Sequence, residues 1–215
     1  VFDCNNHYLK TGKIISGGQK MKEPTFYRVI RGPLAAIFNG VYKPTVIGKE
    51  HIPENGRIIL AGNHTNYFDC LLVASATKRC VHYLAKDELM KGPLKIIFGS
   101  LGIIPVNRRS KDPQAVRKAE EYLLDEKLIG IFPEGTINRT DDVIMPFRFG
   151  AVKFANDTDT PIIPFAITGA YKPFKKTAKI RFFEPIKVEN GDIKAANKKL
   201  EDTVSAELIK EGFKK

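Results

Sequence analysis

The sequence predicts a single α/β domain with a mostly parallel central sheet flanked by helices, preceded by an N-terminal amphipathic helical segment. Near-continuous apolar runs such as residues 57–61 and 161–168 are typical of strands buried on both faces of a parallel sheet. Segments with apolar residues at three- and four-residue steps lie between these runs, as expected for helices that cover the sheet. A chain of 215 residues suits one such domain.

The first predicted helix extends from Pro24 to Tyr42, where apolar residues recur at helical steps. Pro33 is expected to bend or split this helix. Basic residues flank and interleave the apolar ones, and a basic amphipathic helix can lie flat on a membrane. We therefore predict that residues 21–44 form an amphipathic membrane-association segment. The alternative is an ordinary helix packed on the core.

Residues 1–20 are polar, rich in turn-forming residues and without periodicity, which favours a non-native or disordered leader before Met21. Residues 45–215 are predicted to form the globular domain. Its predicted strands cover residues 57–61, 81–84, 102–106, 128–132, 161–168 and 179–183. Its predicted helices cover residues 69–76, 87–98, 112–126, 150–156 and 192–209, with Asp112 as an N-cap.

The composition shows a strong excess of basic residues. Lys and Arg number 35 against 24 Asp and Glu, a formal net charge of +11. This excess favours anionic partners such as a membrane surface, phosphorylated metabolites, an acidic carrier protein or nucleic acid. No apolar run of about 18 residues predicts a membrane span. Cys4, Cys70 and Cys80 form no close pair or Cys/His cluster, which favours a reducing, cytosolic setting over a disulfide framework or zinc site.

His64 and Asp69 follow the predicted strand 57–61, where reactive residues of α/β folds usually lie. A histidine general base needs a partner, usually a carboxylate, that fixes its tautomer and stabilises the imidazolium. On one helix, residues five apart would point roughly 140° apart. We therefore predict His64 on the loop and Asp69 in the first turn of the next helix; the alternative is an incidental histidine and a capping aspartate. The other histidines are interpreted as structural or surface residues: His7, His51 and His82.

Two later strand ends also carry unusual residues. Arg108 and Arg109 follow the predicted strand 102–106, and two adjacent guanidinium groups can bind a phosphate or remain solvated surface charges. After the next strand, Glu134 is expected to be an exposed carboxylate on a stiff turn, and Gly135 lets the backbone approach a ligand closely. The alternative for this segment is an ordinary turn.

In this order, the segments resemble the motifs of the glycerolipid acyltransferases of the 1-acylglycerol-3-phosphate acyltransferase (lysophosphatidic acid acyltransferase) type. The first motif of that family is His, four residues, Asp, which matches residues 64–69. The second ends in an acidic or amide residue and Arg, here residues 107–108, and the third is Phe-Pro-Glu-Gly-Thr, here Phe132–Thr136. Pro161–Pro164, which alone indicates a strand edge or strand start, matches the fourth. Ala85–Leu89 resembles the Ala-Lys-x-Glu-Leu segment between the first two motifs.

The resemblance implies that residues 45–215 form an acyltransferase domain, which moves a fatty acyl group from a thioester to a glycerol hydroxyl. His64 would take the proton from the acceptor hydroxyl, and Asp69 would orient His64 and balance its charge. The resemblance implies no metal and no cofactor, because the acyl thioester is itself a substrate. The implied substrate-binding residues are Lys86, Arg108, Arg109, Glu134, Gly135, Thr136 and Arg139.

The resemblance also gives the basic charge a function. The acyl donor would be a thioester of acyl carrier protein or coenzyme A, both anionic, and the acceptor would be 1-acyl-glycerol 3-phosphate (lysophosphatidate). The product would be phosphatidate, made for phospholipid biosynthesis at an anionic membrane. The basic run of residues 171–181 would face the carrier protein or lipid headgroups, or be a solvated loop. Charge plus an amphipathic helix predicts peripheral, monotopic attachment to the cytoplasmic side of the membrane.

Four alternatives stay open. Another acceptor, such as glycerol 3-phosphate or an amino lipid, is compatible with the motifs, in which Asn107 and Ile137 replace the Asp and Arg often found there. A thioesterase or esterase would use the same His/Asp pair to activate water. Cys70 could act as a covalent nucleophile, although a cysteine in an apolar helix is usually inert. A nucleic-acid-binding module is suggested by the charge alone, with no known motif, so nucleic acid is not a predicted partner.

Overall fold

The computed structural model describes residues 23–90, 102–107 and 112–212. Within these residues the chain forms seven strands, five α-helices and two short 3₁₀ turns. The strands are β1 (Thr45–Ile47), β2 (Ile58–Gly62), β3 (Val81–Lys86), β4 (Ile104–Val106), β5 (Leu128–Ile131), β6 (Ile162–Thr168) and β7 (Lys179–Phe182). The helices are α1 (Thr25–Tyr42), α2 (Asp69–Ala76), α3 (Pro113–Leu124), α4 (Gly150–Thr158) and α5 (Ile193–Lys210).

All seven strands join one sheet in the order β1-β7-β6-β2-β5-β3-β4. Every neighbouring pair is parallel except β6 and β7, which run antiparallel. Ile59 of β2 lies between Ile129 of β5 and Ile162 of β6, so β2 is a central strand. The predicted α/β fold with a mostly parallel sheet is confirmed, and the loop after β2 leaves from the middle of the sheet.

The sheet is covered on both faces, which explains the near-continuous apolar strands. Ile59 and Ala61 of β2 belong to the core that packs under α3, α4 and α5. Ile58 and Leu60 belong to the core that packs under α1 and α2, where Phe38 contributes from α1. Because successive side chains of a strand point to opposite faces, a strand covered on both sides has no solvent-facing position. Every residue of β2 and β6 is accordingly buried.

The helix α1 is continuous over 18 residues although it contains Pro33. Of the two predicted effects of Pro33, a split of the helix is therefore wrong, and a bend stays a prediction. Pro33 lacks the N–H that would bond the carbonyl of Val29, but Val29 is 70% exposed, so water can satisfy that carbonyl. Buried Tyr27 and Phe38 hold the helix on both sides of the proline.

The segment Pro161–Pro164 was interpreted as a strand edge or a strand start, and the structure decides between the two. Pro161 immediately precedes β6, so the expected strand start is confirmed there. The alternative, a strand at the sheet edge, does not apply, because β6 lies between β2 and β7 with Pro164 inside the strand. The Pro164 carbonyl accepts the N–H of Phe183, one residue beyond the end of β7, so the missing proline N–H falls where that strand has ended.

Other boundaries mostly follow the sequence. The Asp112 side chain accepts the N–H of Ala115 at 3.0 Å, as predicted for an N-cap. The predicted helix 87–98 begins as a 3₁₀ turn, Asp87–Met90, and its remainder lies outside the described residues. The three-residue strand β1 was not predicted, because it is too short for a periodicity to show. The predicted leader of residues 1–20 also lies outside the described residues.

Candidate active site

The loop that carries His64 is fixed by the residue before it. Asn63 is buried, and its side-chain amide donates to the carbonyl of Ile167 at 2.9 Å. Its side-chain oxygen accepts the N–H of the same residue at 2.7 Å. The amide thus completes the backbone hydrogen bonds of β6 beyond the end of β2, because an unpaired buried N–H or carbonyl would be costly. This pairing fixes the direction in which His64 leaves the sheet.

His64 and Asp69 contact each other directly. His64 lies on the loop after β2, Asp69 is the first residue of α2, and Nδ1 of the histidine is 2.9 Å from Oδ2 of the aspartate. The Asp69 side chain is fully buried, and that of His64 is 15% exposed. The predicted placement on loop and helix start is confirmed. The proton-transfer role of the pair stays a prediction.

Asp69 is held by several donors besides His64. Its Oδ2 accepts the backbone N–H of Thr65 at 2.6 Å and of Asn66 at 2.8 Å, and its Oδ1 accepts the Tyr171 hydroxyl at 2.6 Å. Burial and the Asp69 carboxylate raise the pKa of Tyr171 well above its ordinary value, so this hydroxyl is a donor at neutral pH. A carboxylate accepts the Nδ1–H of His64, which leaves the Nε2 lone pair as the basic position.

The His64 ring is fixed from one side by Phe132. The two rings stack with centroids 4.0 Å apart and an interplanar angle of 18°. Phe132 directly follows β5, the neighbour of β2 in the sheet, so the first and third motifs meet at adjacent strand ends. The sequence analysis missed Phe132 and Tyr171 as site residues, since a ring beside a histidine and a tyrosine inside a basic run carry no distinctive signal.

Glu134 lies behind the loop. It is 2% exposed, its Oε1 accepts the backbone N–H of His64 at 2.7 Å, and its Oε2 accepts that of Met145 at 2.9 Å. The sequence analysis described Glu134 as an exposed carboxylate, which is wrong, because the turn directs its side chain inward. These contacts make Glu134 a positioning residue of the His64 loop, and a contact with substrate stays a prediction.

Gly135 makes room for an arginine that the sequence analysis did not single out. Its φ is +76°, a conformation that favours glycine. A Cβ on Gly135 would lie 2.9 Å from Nε and 3.0 Å from Cζ of Arg148. The backbone N–H of Arg148 donates to the carbonyl of Pro133 at 3.0 Å, so the third motif also positions this arginine. The glycine therefore permits the Arg148 guanidinium to lie against the turn.

A cavity of about 990 Å³ opens beside the histidine. Its walls are mostly apolar and come from α1, α2, β3 and the third motif, and His64 is among the lining residues. Two predicted cationic residues, Lys86 and Arg139, line this same cavity together with Arg148. Gly135 and Thr136 line it as well. The structure thus brings every described site residue of the prediction to the cavity except Asp69 and Glu134, which lie behind it.

Arg108 and Arg109, predicted to bind phosphate, lie outside the described residues. An anion site beside His64 is therefore supported by the cationic side chains that line the cavity, which are Lys86, Arg139 and Arg148. Cys70 also lines the cavity, but burial and the neighbouring Asp69 carboxylate raise the pKa of its thiol to about 12. Because a thiol with this pKa stays protonated at neutral pH, the alternative of a Cys70 thiolate nucleophile is disfavoured.

Known proteins are similar to this chain in sequence. The 1-acyl-sn-glycerol-3-phosphate acyltransferase of Borreliella burgdorferi is 37% identical over 128 residues, which cover 58% of this chain and 51% of that protein. The protein of the same name from Bacillus subtilis is 28% identical over 126 residues, covering 58% of this chain and 62% of that protein. The chain thus spans about half to three fifths of the length of these curated relatives.

A solved structure shares the fold. The crystal structure of the 1-acyl-sn-glycerophosphate (LPA) acyltransferase PlsC from Thermotoga maritima superposes with a TM-score of 0.72, covering 91% of this chain and 85% of that one. Its 22% sequence identity supports a common fold only. The profile of the Acyltransferase family matches residues 43–168, from just before β1 to the end of β6, and so contains both His64 and Asp69. The resemblance stated from the motifs is therefore confirmed, and the chain belongs to the Acyltransferase family.

Proposed function

We propose that this chain is an O-acyltransferase that moves a fatty acyl group from an acyl thioester to the free hydroxyl of 1-acyl-glycerol 3-phosphate, forming phosphatidate. The observation that carries the proposal is the hydrogen-bonded pair of His64 and the buried Asp69 carboxylate. His64 faces an apolar cavity whose wall also contains cationic side chains. The names of the similar proteins support the same acceptor. The donor is a thioester of acyl carrier protein or coenzyme A, and no metal or other cofactor takes part in the proposed reaction.

The proposed reaction needs one proton to move twice. The Nε2 lone pair of His64 takes the proton of the acceptor hydroxyl as its oxygen bonds to the thioester carbonyl carbon. The carbonyl re-forms as the carbon–sulfur bond breaks, and the imidazolium gives the proton to the departing thiolate. Asp69, held by Thr65, Asn66 and Tyr171, stabilises the positive charge on the ring between these events.

The cavity suits both parts of a lysophospholipid. Apolar side chains such as Leu34, Leu71 and Val81 line it and can contact acyl chains without leaving polar groups unpaired. Lys86, Arg139 and Arg148 are exposed and line the same space, which favours a bound phosphate. Arg108 keeps its predicted part in this phosphate site as a proposal.

Replacing Arg148 by Ala is expected to raise the KM for lysophosphatidate by about 10–100-fold, since a charge-assisted hydrogen bond contributes about 1.5–3 kcal/mol. Turnover at saturating acceptor should change much less, because Arg148 does not contact the His64–Asp69 pair. Steady-state kinetics with the thioester donor in excess measure both quantities. Arg117→Ala is the matched control, since this exposed arginine of α3 pairs with Glu121 and does not line the cavity.

The same assay separates the alternative functions. A panel of lysophosphatidate, glycerol 3-phosphate, a monoacylglycerol without phosphate and an amino lipid identifies the acceptor by kcat/KM. A thioesterase or esterase would release free fatty acid at equal rates with or without acceptor, and Arg148→Ala would leave that release unchanged. Such a result, with no acylated product, would contradict the proposed function.

We further propose that the chain attaches peripherally to the cytoplasmic side of the membrane through α1. No helix among the described residues is long and apolar enough to cross a bilayer. The outer face of α1 nonetheless exposes Phe26, Val29 and Ile37, the last two at 70% and 65%. Basic Arg28 and Lys43 accompany them on this helix and its end, which suits an anionic surface. Since α1 also lines the cavity, a lipid acceptor would enter from the attached side.

Ile37→Asp is expected to weaken binding to phosphatidylglycerol-containing vesicles at least about tenfold, because burying one isoleucine side chain contributes about 1.5–3 kcal/mol. Co-sedimentation with such vesicles measures the partition coefficient. Ile209→Asp on α5 is the control, because Ile209 is equally exposed at 65% but belongs to the helix layer on the opposite face of the sheet. Equal losses in the two variants would contradict attachment through α1.

A further inference from the structure

We propose that Glu23, Cys80 and His82 form a zinc-binding site that joins the chain entering α1 to the start of β3. Each residue offers one ligand atom, and the three atoms lie within 4.8 Å of one another. Cys80 and His82 are 4% and 2% exposed, and none of the three lines the cavity beside His64. A thiolate, an imidazole and a carboxylate are the ligand types that zinc takes in proteins.

The tautomer of His82 directs a lone pair at Glu23. The Nδ1 atom of His82 is 2.8 Å from the carbonyl of Gly102, and a carbonyl can only accept, so Nδ1 carries the proton. In the neutral ring, Nε2 is then an acceptor. It lies 3.5 Å from Oε2 of Glu23, which is also an acceptor. Two lone pairs thus face each other in a buried place, and a cation between them would satisfy both.

Neither of these atoms has a hydrogen-bond partner elsewhere. Among residues 23–90, 102–107 and 112–212, no hydrogen bond of ordinary geometry reaches Nε2 of His82 or Oε2 of Glu23, and both atoms are buried. The side chain that interacts with the Glu23 carboxylate there is the Cys80 thiol, the third proposed ligand. Lys127 does approach Glu23, but its Nζ is 3.5 Å from the other oxygen, Oε1. The lysine therefore partly balances the carboxylate and leaves Oε2 directed at the histidine. Buried polar atoms without partners are rare and indicate a missing ligand or a switch.

Cys80 supplies the third atom and distinguishes zinc from a harder cation. A thiol that coordinates zinc loses its proton and binds as the thiolate. One thiolate and one carboxylate then balance the ion. Magnesium and calcium prefer oxygen ligands and would gain little from the sulfur or the imidazole.

The surroundings resemble those of a zinc-bound histidine. A metal-ligating histidine usually donates its other N–H to a carbonyl or carboxylate, as His82 does to Gly102. The φ of Gly102 is +72°, and a Cβ there would lie 2.6 Å from Nδ1, so glycine permits this close approach. Zinc bond lengths place tetrahedral ligands roughly 3.3–3.8 Å apart, so small side-chain movements would close the site, with water as the fourth ligand.

The site would stabilise the docking of α1. Glu23 precedes the helix, and Tyr27, one turn inside it, donates to the carbonyl of Arg79 beside Cys80. Zinc would add a second, stronger link at the same place between α1 and β3, two of the elements that line the cavity. Sequence analysis found no Cys/His cluster, because Glu23 comes from a distant part of the chain and Cys80-x-His82 alone is too short a signal.

The test uses the full chain, stripped with chelator and titrated with Zn²⁺ or Co²⁺. We expect one Zn²⁺ per chain by elemental analysis, a rise in the thermal unfolding midpoint, and a cobalt–thiolate charge-transfer band. Cys80→Ser should abolish the band, and Cys4→Ser, the matched control, should retain it. Loss of an outer-shell partner alone weakens metal sites by about 10–100-fold, so Glu23→Gln should weaken zinc binding at least that much. Glu23 is partly exposed, so this near-isosteric variant should fold.

Two outcomes would overturn the proposal. One is a wild-type chain that binds no Zn²⁺ at micromolar concentration. The other is zinc binding that Cys80→Ser and Glu23→Gln leave unchanged. Both readouts are independent of acyl transfer, so they remain decisive whatever the enzyme's acceptor is.

Discussion

Replacing His64 by Ala is expected to lower kcat for acyl transfer by roughly 10²–10⁴-fold, the usual contribution of a positioned general base. The chain should stay folded. Asp69 would lose one donor but would keep the N–H groups of Thr65 and Asn66 and the hydroxyl of Tyr171, so its buried carboxylate remains satisfied. The His64 side chain is partly exposed to the cavity, so its removal leaves no closed void in the core.

Single-turnover acyl transfer to lysophosphatidate, with circular dichroism to verify folding, measures this effect. His51→Ala is the matched control, because His51 lies in a surface turn and pairs with Glu184 away from the cavity. Tyr171→Phe is a graded comparison: it removes one donor to Asp69 but leaves the base in place, so its loss should be much smaller than that of His64→Ala. Near-normal transfer by His64→Ala would contradict the proposed mechanism.

The central strands and the reactive loop could be predicted because their signals are local. Residues 58–61 are apolar at both alternating positions of the strand, as a strand covered on both faces requires. The five-residue spacing of His64 and Asp69 excludes a shared helical face, so the loop-to-helix arrangement followed from helix geometry alone. The cap at Asp112 was predictable for the same reason, since its partner Ala115 is three residues away.

The parts that could not be predicted depend on contacts between distant segments. Tyr171 reaches Asp69 from the loop after β6, and Arg148 reaches the Gly135 turn from the loop before α4. Neither residue belongs to a motif, so only the packing of these loops over the strand ends shows their place. The place of Pro164 inside an inner strand was not predicted either. It is tolerated because β7 has ended opposite its missing N–H, and only the pairing of the two strands shows this.

The orientation of Glu134 also depends on contacts with distant segments. The sequence identified the residue as a site residue but did not show the direction of its side chain. A carboxylate on a turn between Pro133 and Gly135 could face a substrate or the protein. In the structure it accepts two backbone N–H groups, those of His64 and Met145, while 2% exposed. Its contribution should therefore be measured first as folding free energy and only then as catalysis.

Glu134→Ala is expected to lower the free energy of unfolding by about 2–5 kcal/mol, because each buried N–H left without an acceptor costs about 1–3 kcal/mol. Acyl transfer should fall as well, since the N–H of His64 would no longer be fixed. Glu134→Gln should lose less stability, because the amide oxygen can still accept one of the two N–H groups while its NH₂ opposes the other. Urea unfolding followed by circular dichroism measures both variants.

Glu54→Ala is the control for removal of a glutamate, because Glu54 is exposed in the turn before β2 and should change stability by less than about 0.5 kcal/mol. A residue that only contacted substrate would behave differently from a positioning residue. Glu134→Ala would then keep the stability of the unaltered chain and raise the KM for lysophosphatidate. That combination would contradict the inward-facing role. A parallel loss of stability and kcat, smaller in Glu134→Gln, would instead establish that this carboxylate acts on the reaction through the backbone of His64.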